Sequence, residues 1–166
     1  MKVLNTLDPS YQPSIFLTIY GNGGVGKTTF SATAPAPLLA DCEGGSKYFG
    51  LRGIKMSVAN IEKWLDIKEF YLEAKKPEYQ TIIIDPISEL MEKLMTHMQM
   101  KNDKKLTQPD GSPTMNGWGW LKQTFRTMLK SFRDLQKNVI LIAHVSEDKD
   151  GDILFKRTAL ITKLSQ

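Results

Sequence analysis

The stretch that most restricts how this chain can fold is Gly21, Asn22, Gly23, Gly24, Val25, Gly26, Lys27, Thr28, Thr29. It matches G-x-x-x-x-G-K-T, a phosphate-binding pattern that works only between a strand and a helix. The apolar run at 15–20 before it and the helix-compatible residues 27–33 after it supply that setting. Glycines at 21, 23, 24 and 26 let the backbone turn through positive φ and approach an anion closely. Successive N–H groups and a helix N-terminus can then converge on one phosphate. Lys27 adds a point charge toward the β- and γ-phosphates of a nucleoside triphosphate, and the Thr28 hydroxyl is a candidate Mg²⁺ ligand. A glycine-rich turn before an ordinary helix is the plainer alternative, and the number of matched positions in the right setting weighs against it.

The 166 residues suit one domain, 1–166, with a single core. Hydrophobic content of 41% and charged content of 24% exclude wholesale disorder. No apolar run approaches the roughly 20 residues that span a bilayer, and residues 1–10 lack the apolar centre of a signal peptide, so a cytoplasmic protein without membrane contact is expected. The lone Cys42 excludes an internal disulfide, and with His97 and His144 it has no metal-ligand spacing. Any metal should therefore arrive with a nucleotide. The net charge of +4 permits nucleic-acid binding without requiring it. The methionines read as core filler.

Residues 1–14 read as a leader packed beside the first strand. Pro35 and Pro37 end the helix that follows the phosphate loop. Residues 38–41 then form a buried strand, which delivers Asp41, Cys42, Glu43, Gly44 and Gly45 to its carboxyl end, where open α/β sheets place ligand chemistry. Ile54, Met56 and Val58 alternate as in a half-buried strand. Asn60 is a candidate cap for a helix through Ile61, Trp64, Leu65 and Phe70 toward Pro77. Residues 81–85 are a continuous apolar strand finishing on Asp85, as a Walker B strand does, and Pro86 ends it.

Ile87, Leu90, Met91, Leu94, Met95 and Met98 recur at helical spacing. Residues 101–117 have no periodicity, and a loop of that length in a compact domain is usually functional or disordered. Leu121, Phe125, Met128, Leu129, Phe132 and Leu135 form the next amphipathic helix. Its other face carries Lys122, Arg126, Lys130 and Arg133, read equally as a solvated face or a contact surface. Residues 139–143 are a buried strand ending on His144, residues 147–152 a hairpin turn, and 153–156 and 158–162 further strand candidates. The acidic turn lacks calcium-loop spacing. Strands alternating with helices predict an α/β fold: a mostly parallel twisted sheet with helices on both faces.

Hydrolysis of a nucleoside triphosphate needs a held Mg²⁺, an oriented water and neutralised γ-phosphate charge. Asp85 is the candidate for the metal shell, through water. Glu43 is the candidate to orient the attacking water, with Asp41 and Glu89 as competitors. His144 is either a γ-phosphate contact or a structural histidine. Lys156, Arg157 and Lys163 are open candidates for a charge offered to a neighbouring subunit.

On these residues the chain resembles the RecA-like P-loop ATPases, and more closely their small phage nucleotide-binding members, which include single-strand annealing recombinases. The shared pattern is the glycine-rich loop at 21–29, the proline-containing approach to Asp41, Cys42, Glu43, Gly44 and Gly45, the strand 81–85, and the strand 139–144. It spans roughly residues 14–165. The resemblance implies a RecA-like P-loop NTPase core binding ATP and Mg²⁺ through residues 21–29, with Thr28 and Asp85 at the metal. It also implies catalytic roles for Glu43, Lys27 and His144, the last as a polar sensor coupling ATP to DNA. It further implies single-stranded DNA as partner, held by segments matching 101–117 and 146–157. Lys101, Lys104, Lys105, Trp118 and Trp120 would supply charge and stacking surface there, unless the tryptophans simply pack in the core. A single-strand DNA-binding protein as helper, a homo-oligomer, and a host-cytoplasm location if phage-encoded follow from the same resemblance.

The chain departs from that pattern in three ways. It ends at Gln166, where relatives carry further strands, so truncation at the carboxyl end is one expectation. It has no amino-terminal oligomerisation domain, which counts against filaments, and its second loop is more acidic than DNA favours. Partition-type ATPases share a similar loop but place a signature lysine where this chain has Asn22. A small-molecule kinase fits the Glu43 segment less well, and a nucleotide-switched recombination mediator with negligible hydrolysis is the alternative from another class. The preferred expectation is a DNA-stimulated, Mg²⁺-dependent ATPase of phage recombination, acting in annealing or strand exchange. Its recombination half stands on resemblance alone.

Overall fold

The computed structural model describes residues 14–150 and 153–158. In chain order the elements are β1 (Phe16–Gly21), α1 (Lys27–Ser31), β2 (Pro37–Asp41), β3 (Ser57–Asn60), α2 (Asp66–Ala74), β4 (Thr81–Asp85), α3 (Ile87–Met100), α4 (Met115–Arg133), β5 (Asn138–Asp150) and β6 (Ile153–Thr158). Two short 3₁₀ turns, Gly45–Tyr48 and Gly50–Arg52, lie between β2 and β3. β1, β5, β4, β2 and β3 form, in that order, a parallel sheet, and β6 pairs antiparallel with the far half of β5. This is the expected α/β architecture of a P-loop NTPase domain.

Side-chain alternation along the central strands creates two unequal cores. Ile82 and Ile84 of β4, Leu38 and Ala40 of β2, and Val139, Leu141 and Ala143 of β5 face one side. There α2, α3 and α4 cover them with Phe70, Leu90, Leu94, Met98, Leu121, Phe125 and Phe132. Leu39, Ile83, Ile140 and Ile142 face the other side, under Ala34, Phe49 and Met56. Strands buried on both faces must read as unbroken apolar runs, which is why 81–85 and 139–143 are so recognisable.

α2 and α4 run the same way across the sheet. The Trp64 and Phe125 rings stack at 6.3 Å between centroids, and one to two turns further on Phe70 and Phe132 approach to 5.7 Å. α4 leads after four residues into the start of β5, so its amino-terminal end points toward the edge that carries the phosphate loop.

Several expectations need correction. α2 begins at Asp66 rather than near Ile61, because the Asp66 carboxylate accepts the N–H groups of Glu62 and Lys63 and holds 61–65 in a turn. Asn60 caps nothing, and its amide donates to Glu62 at 3.2 Å. The strand at 139–143 does not stop at His144. It runs on to Asp150, because β6 supplies a new partner where β1 ends, so 147–150 is strand and not turn. The strand candidate 158–162 survives only at Thr158, where β6 ends, and 159–162 lies outside the described residues, as does the leader at 1–13.

The segment 101–117 is tightly organised. Asp103 accepts backbone N–H groups of Lys105, Leu106 and Thr107, Gln108 N–H donates to Ser112, and Thr107 bridges to Pro113. Thr114 ends it as the N-cap of α4, its hydroxyl oxygen accepting Gly117 N–H at 3.0 Å and donating to the Lys105 carbonyl at 2.6 Å. α4 therefore starts before Trp118 and Trp120. Both are half-buried against the main core, and the Lys101 ammonium sits 4.7 Å over the Trp120 ring.

The loop backbone presses on α4 so closely that a Cβ at Gly117 would lie 2.1 Å from the Leu106 carbonyl oxygen, whereas one at Gly119 would meet nothing within 4 Å. Gly117→Ala should therefore cost about 1–3 kcal/mol as an overpacked contact. Gly119→Ala, in the same helix, should stabilise by about 0.5–1 kcal/mol. Chemical denaturation of both variants checks the opposite signs.

Candidate active site

The phosphate loop joins the end of β1 to α1. Gly24 and Gly26 take positive φ, 77° and 89°, and Gly26 is the cap from which α1 starts. Lys27 folds back across the loop, its ammonium donating to the carbonyls of Gly21 at 2.9 Å and Asn22 at 2.8 Å. Those bonds hold the charge at the mouth of the loop, within reach of an anion cradled by it.

Thr28, next on α1, donates its hydroxyl to Oδ2 of Asp85, the last residue of β4. Asp85 is buried, 9% exposed. Burial raises its carboxyl above the usual range, the Thr28 hydrogen bond opposes the rise, and the nearby charges of Glu43 and Asp41 add to it while His144 lowers it. A buried carboxylate and a hydroxyl converging beside a phosphate loop are the hard oxygen donors Mg²⁺ prefers, so the residues fit that ion. Among the described residues no group of three or more His, Cys, Asp or Glu could hold a metal by itself. A cation here would share its coordination with nucleotide oxygens and water.

Asp41 ends β2 directly beside Asp85 in the parallel register. Its Oδ1 accepts N–H groups from Glu43, Gly44 and Gly45 at 3.2, 2.7 and 3.2 Å, and its Oδ2 accepts Ser46 N–H at 2.9 Å and the Ser46 hydroxyl. Burial pushes this carboxyl up too, but the Ser46 hydroxyl and the N–H groups of Ser46, Gly44 and Glu43 outweigh it and hold the group below its ordinary value. With both oxygens committed, Asp41 has no free lone pair aimed at a water, and it drops out as competitor to Glu43. Sequence reasoning missed Ser46 entirely. Its signal was a hydroxyl placed to reach back to the strand-end acid once Gly44, at φ 79°, folds the chain over.

The folded-back turn projects Glu43 outward, with its Oε2 3.4 Å from Nε2 of His144. His144 stands beside Gly21 in the register of β5 and β1, at the entrance to the phosphate loop. The structure thus brings Lys27, Thr28, Asp85, Glu43 and His144 to one edge of the sheet. Glu89 is elsewhere: it lines a groove of about 400 Å³ with Trp64, Lys93 and His97. Cys42 is buried, its thiol pushed up to about 12 by desolvation with Asp41, Asp85 and Glu89 adding, so it is inert as a nucleophile. Lys156 and Arg157 fall within β6, and Lys163 lies outside the described residues.

The family described as AAA domain matches this chain over residues 14–164, nearly its whole length. The chain belongs to the AAA domain family. This AAA domain is thereby a nucleotide-binding ATPase domain, and the edge just described is where its phosphate loop lies. No curated protein matches the chain. No helix among the described residues is long and apolar enough to cross a membrane.

Asp41 and Asp85 should respond oppositely to neutralisation. The Asp41 carboxyl titrates below its ordinary value of 3.8 in the folded state, so its stabilisation is complete above that value and disappears as pH falls through the folded one. Asp41→Asn should lose about 1–3 kcal/mol at neutral pH and flatten the acid limb of the stability profile. Asp85 is raised, so its ionised form opposes folding above its folded pKa, and Asp85→Asn should leave the nucleotide-free protein equally or more stable. Thermal melts across the acid range, without nucleotide, separate the two.

Proposed function

We propose that this AAA domain is an ATP-dependent, Mg²⁺-requiring ATPase of phage-type recombination, stimulated by single-stranded DNA and acting in annealing or strand exchange. The observation that carries the hydrolytic part is the Glu43 carboxylate held 3.4 Å from His144, on the edge shared with Lys27 and Asp85. A carboxylate on a turn locked by Asp41, beside a phosphate loop and not buried within it, suits the orientation of an attacking water. Glu43 would polarise that water, and His144 would exchange its contact with Glu43 for one to the γ-phosphate when ATP is present. Lys27 would leave the Gly21 and Asn22 carbonyls and neutralise the β- and γ-oxygens, while the loop N–H groups hold the phosphates.

Thr28 and Asp85 are the residues that would hold the magnesium ion, which when bound offsets charge on the phosphate oxygens. The annealing and strand-exchange role rests on the resemblance of the 21–29, 41–45, 81–85 and 139–144 segments to the phage proteins. A single-strand DNA-binding protein as helper and a cytoplasmic location belong to the same reading. Self-association is supported by β1: among the described residues it pairs on one side only, and Phe16, Leu17 and Tyr20 remain exposed.

Steady-state turnover with and without single-stranded DNA tests the reading. Glu43→Gln should lower kcat by about 100-fold or more while nucleotide affinity is kept. Lys27→Ala should lose affinity itself. Wild-type protein that binds ATP tightly yet turns over no faster than Glu43→Gln would be a nucleotide-switched module and not an enzyme.

A further inference from the structure

We infer that the outer crest of α4, with the adjoining flank of α2, is a track for the phosphate backbone of a nucleic-acid strand. The inference rests on the reading above for its choice of single-stranded DNA. It places the contact surface on the helical layer and not on the 101–117 loop.

α4 contains no acidic residue in nineteen, and its four cations Lys122, Arg126, Lys130 and Arg133 are all exposed. At 100° per residue they fall within one arc of about 80°, whose centre lies about 120° from that of the buried Leu121, Phe125 and Phe132. Successive members are one turn apart, about 4.5–6 Å along the axis, so three neighbouring pairs carry like charge at positions where like charges destabilise a helix. Lys130 and Arg133 gain from the helix C-terminus, but Lys122 and Arg126 sit too far inside the helix for that compensation. Arg133 has an acidic neighbour, Asp134, at 3.3 Å.

α2 continues the same surface. Tyr71 meets Phe132 of α4 edge-on at 5.4 Å between centroids, and Lys75 lies 4.7 Å over the Tyr71 ring. Lys68, three residues before Tyr71, shares that flank and is exposed. The acids of α2 lie on the far side. Glu69 and Glu73 are each two residues, about 200°, from Tyr71, and Glu73 is engaged by Lys76 and the Tyr79 hydroxyl. Asp66 is engaged by the turn before the helix. The charges are therefore sorted: cations face the α2–α4 crest and acids face away, where a merely solvated surface would mix them.

Charge of one sign in a line matches a linear polyanion. An anionic bilayer would need bulky apolar side chains among the cations, yet the apolar face of α4 is in the core, and the exposed large apolar residues described nearby, Leu65 and Leu72 at α2, Met100 at the end of α3 and Met115 at the start of α4, all lie outside the cationic run 122–133. Half-buried Trp118 and Trp120 leave the loop little stacking surface. Contact through phosphates alone predicts binding without sequence preference and with strong salt dependence.

The test is fluorescence anisotropy of a labelled oligo-dT titrated with full-length protein at several salt concentrations. The triple variant Lys122→Gln, Arg126→Gln, Lys130→Gln should bind at least about tenfold more weakly at physiological salt. It should also lower the log–log salt slope by about 2, the value for three lost single-strand phosphate contacts. The loop variant Lys101→Gln, Lys104→Gln, Lys105→Gln removes the same charge and should change affinity by less than about threefold. Lys122→Arg with Lys130→Arg should retain binding, and ATP-analogue binding by the triple variant should match wild type, which reports on folding.

Equal affinity and slope for wild type and the crest variant, or a larger loss in the loop variant, would overturn this inference and leave the ATPase reading intact. Wild-type protein that binds no oligonucleotide would sink the DNA part of that reading together with it. Binding by the crest to acidic peptides or anionic vesicles in preference to oligo-dT would also overturn it.

Discussion

Two buried carboxylates side by side are the constraint that shapes this molecule. Parallel pairing of β2 with β4 puts Asp41 next to Asp85 at the same level of the sheet, 4% and 9% exposed. Charge this close and this desolvated must be compensated, protonated or removed. The fold treats the two acids differently. Asp41 receives four backbone N–H groups and a hydroxyl from its own following turn, so its charge is spent on structure. Asp85 receives one hydroxyl, from Thr28, and stays short of partners. That inequality leaves Asp85 as the acid whose charge a cation would offset.

The same turn explains how Glu43 comes to face outward. Each N–H that Asp41 accepts fixes one more residue of the 43–46 segment, so the backbone under Glu43 is held by a strand of the central sheet. A carboxylate acting on a small, mobile water, as proposed for Glu43, would benefit from such anchoring, because misplacement by about 1 Å is costly in catalysis. His144 arrives by a separate route, carried to the edge by β5, which runs between β1 and β4. The ends of β2 and β4, the middle of β5 and the phosphate loop thus contribute to a single site, and none of the contributing side chains is a sequence neighbour of all the others.

How much of this could be read in the sequence follows from which interactions are local. The glycine-rich loop, the strand ending on Asp85 and the stripe from Ile87 to Met98 are written in consecutive or helically spaced residues. They are found in the structure at the expected places. The start of α2 was misplaced because Asp66, inside the apparent helix, competes for N–H groups just upstream, and propensity rules do not weigh such a competition. β5 was cut short because its continuation depends on pairing with β6, a contact outside the apolar pattern that marked the strand. Reading 101–117 as loop overshoots by three residues, since α4 begins at Met115 after the Thr114 cap, and this leaves Trp118 and Trp120 looking like stacking surface at the loop's border. At the site, residue chemistry puts Glu43 only modestly ahead of Asp41. Only the fold-back through Gly44 shows that Asp41 is consumed by its own turn while Glu43 reaches outward to His144.

The charge distribution of α4 exceeds what covering a core requires. A helix that covers a core needs one apolar face and is indifferent to what the other carries, provided it is soluble, so selection for folding alone favours mixed charges with i,i+4 pairs. α2 carries charges of both signs, though on different sides, with Asp66, Glu69 and Glu73 beside Lys68 and with Glu73 engaging Lys76 just past its end. α4 lies against it, in the same layer and the same solvent, and has cations only. The contrast between adjacent helices argues that the arrangement on α4 is maintained for something outside the chain. Because the amino-terminal end of α4 points toward the edge holding the phosphate loop, a strand lying along it would be led toward the site where Glu43 and His144 meet. Binding on the crest and the state of the nucleotide would then be joined by one rigid helix, with no need for a long-range relay through the sheet.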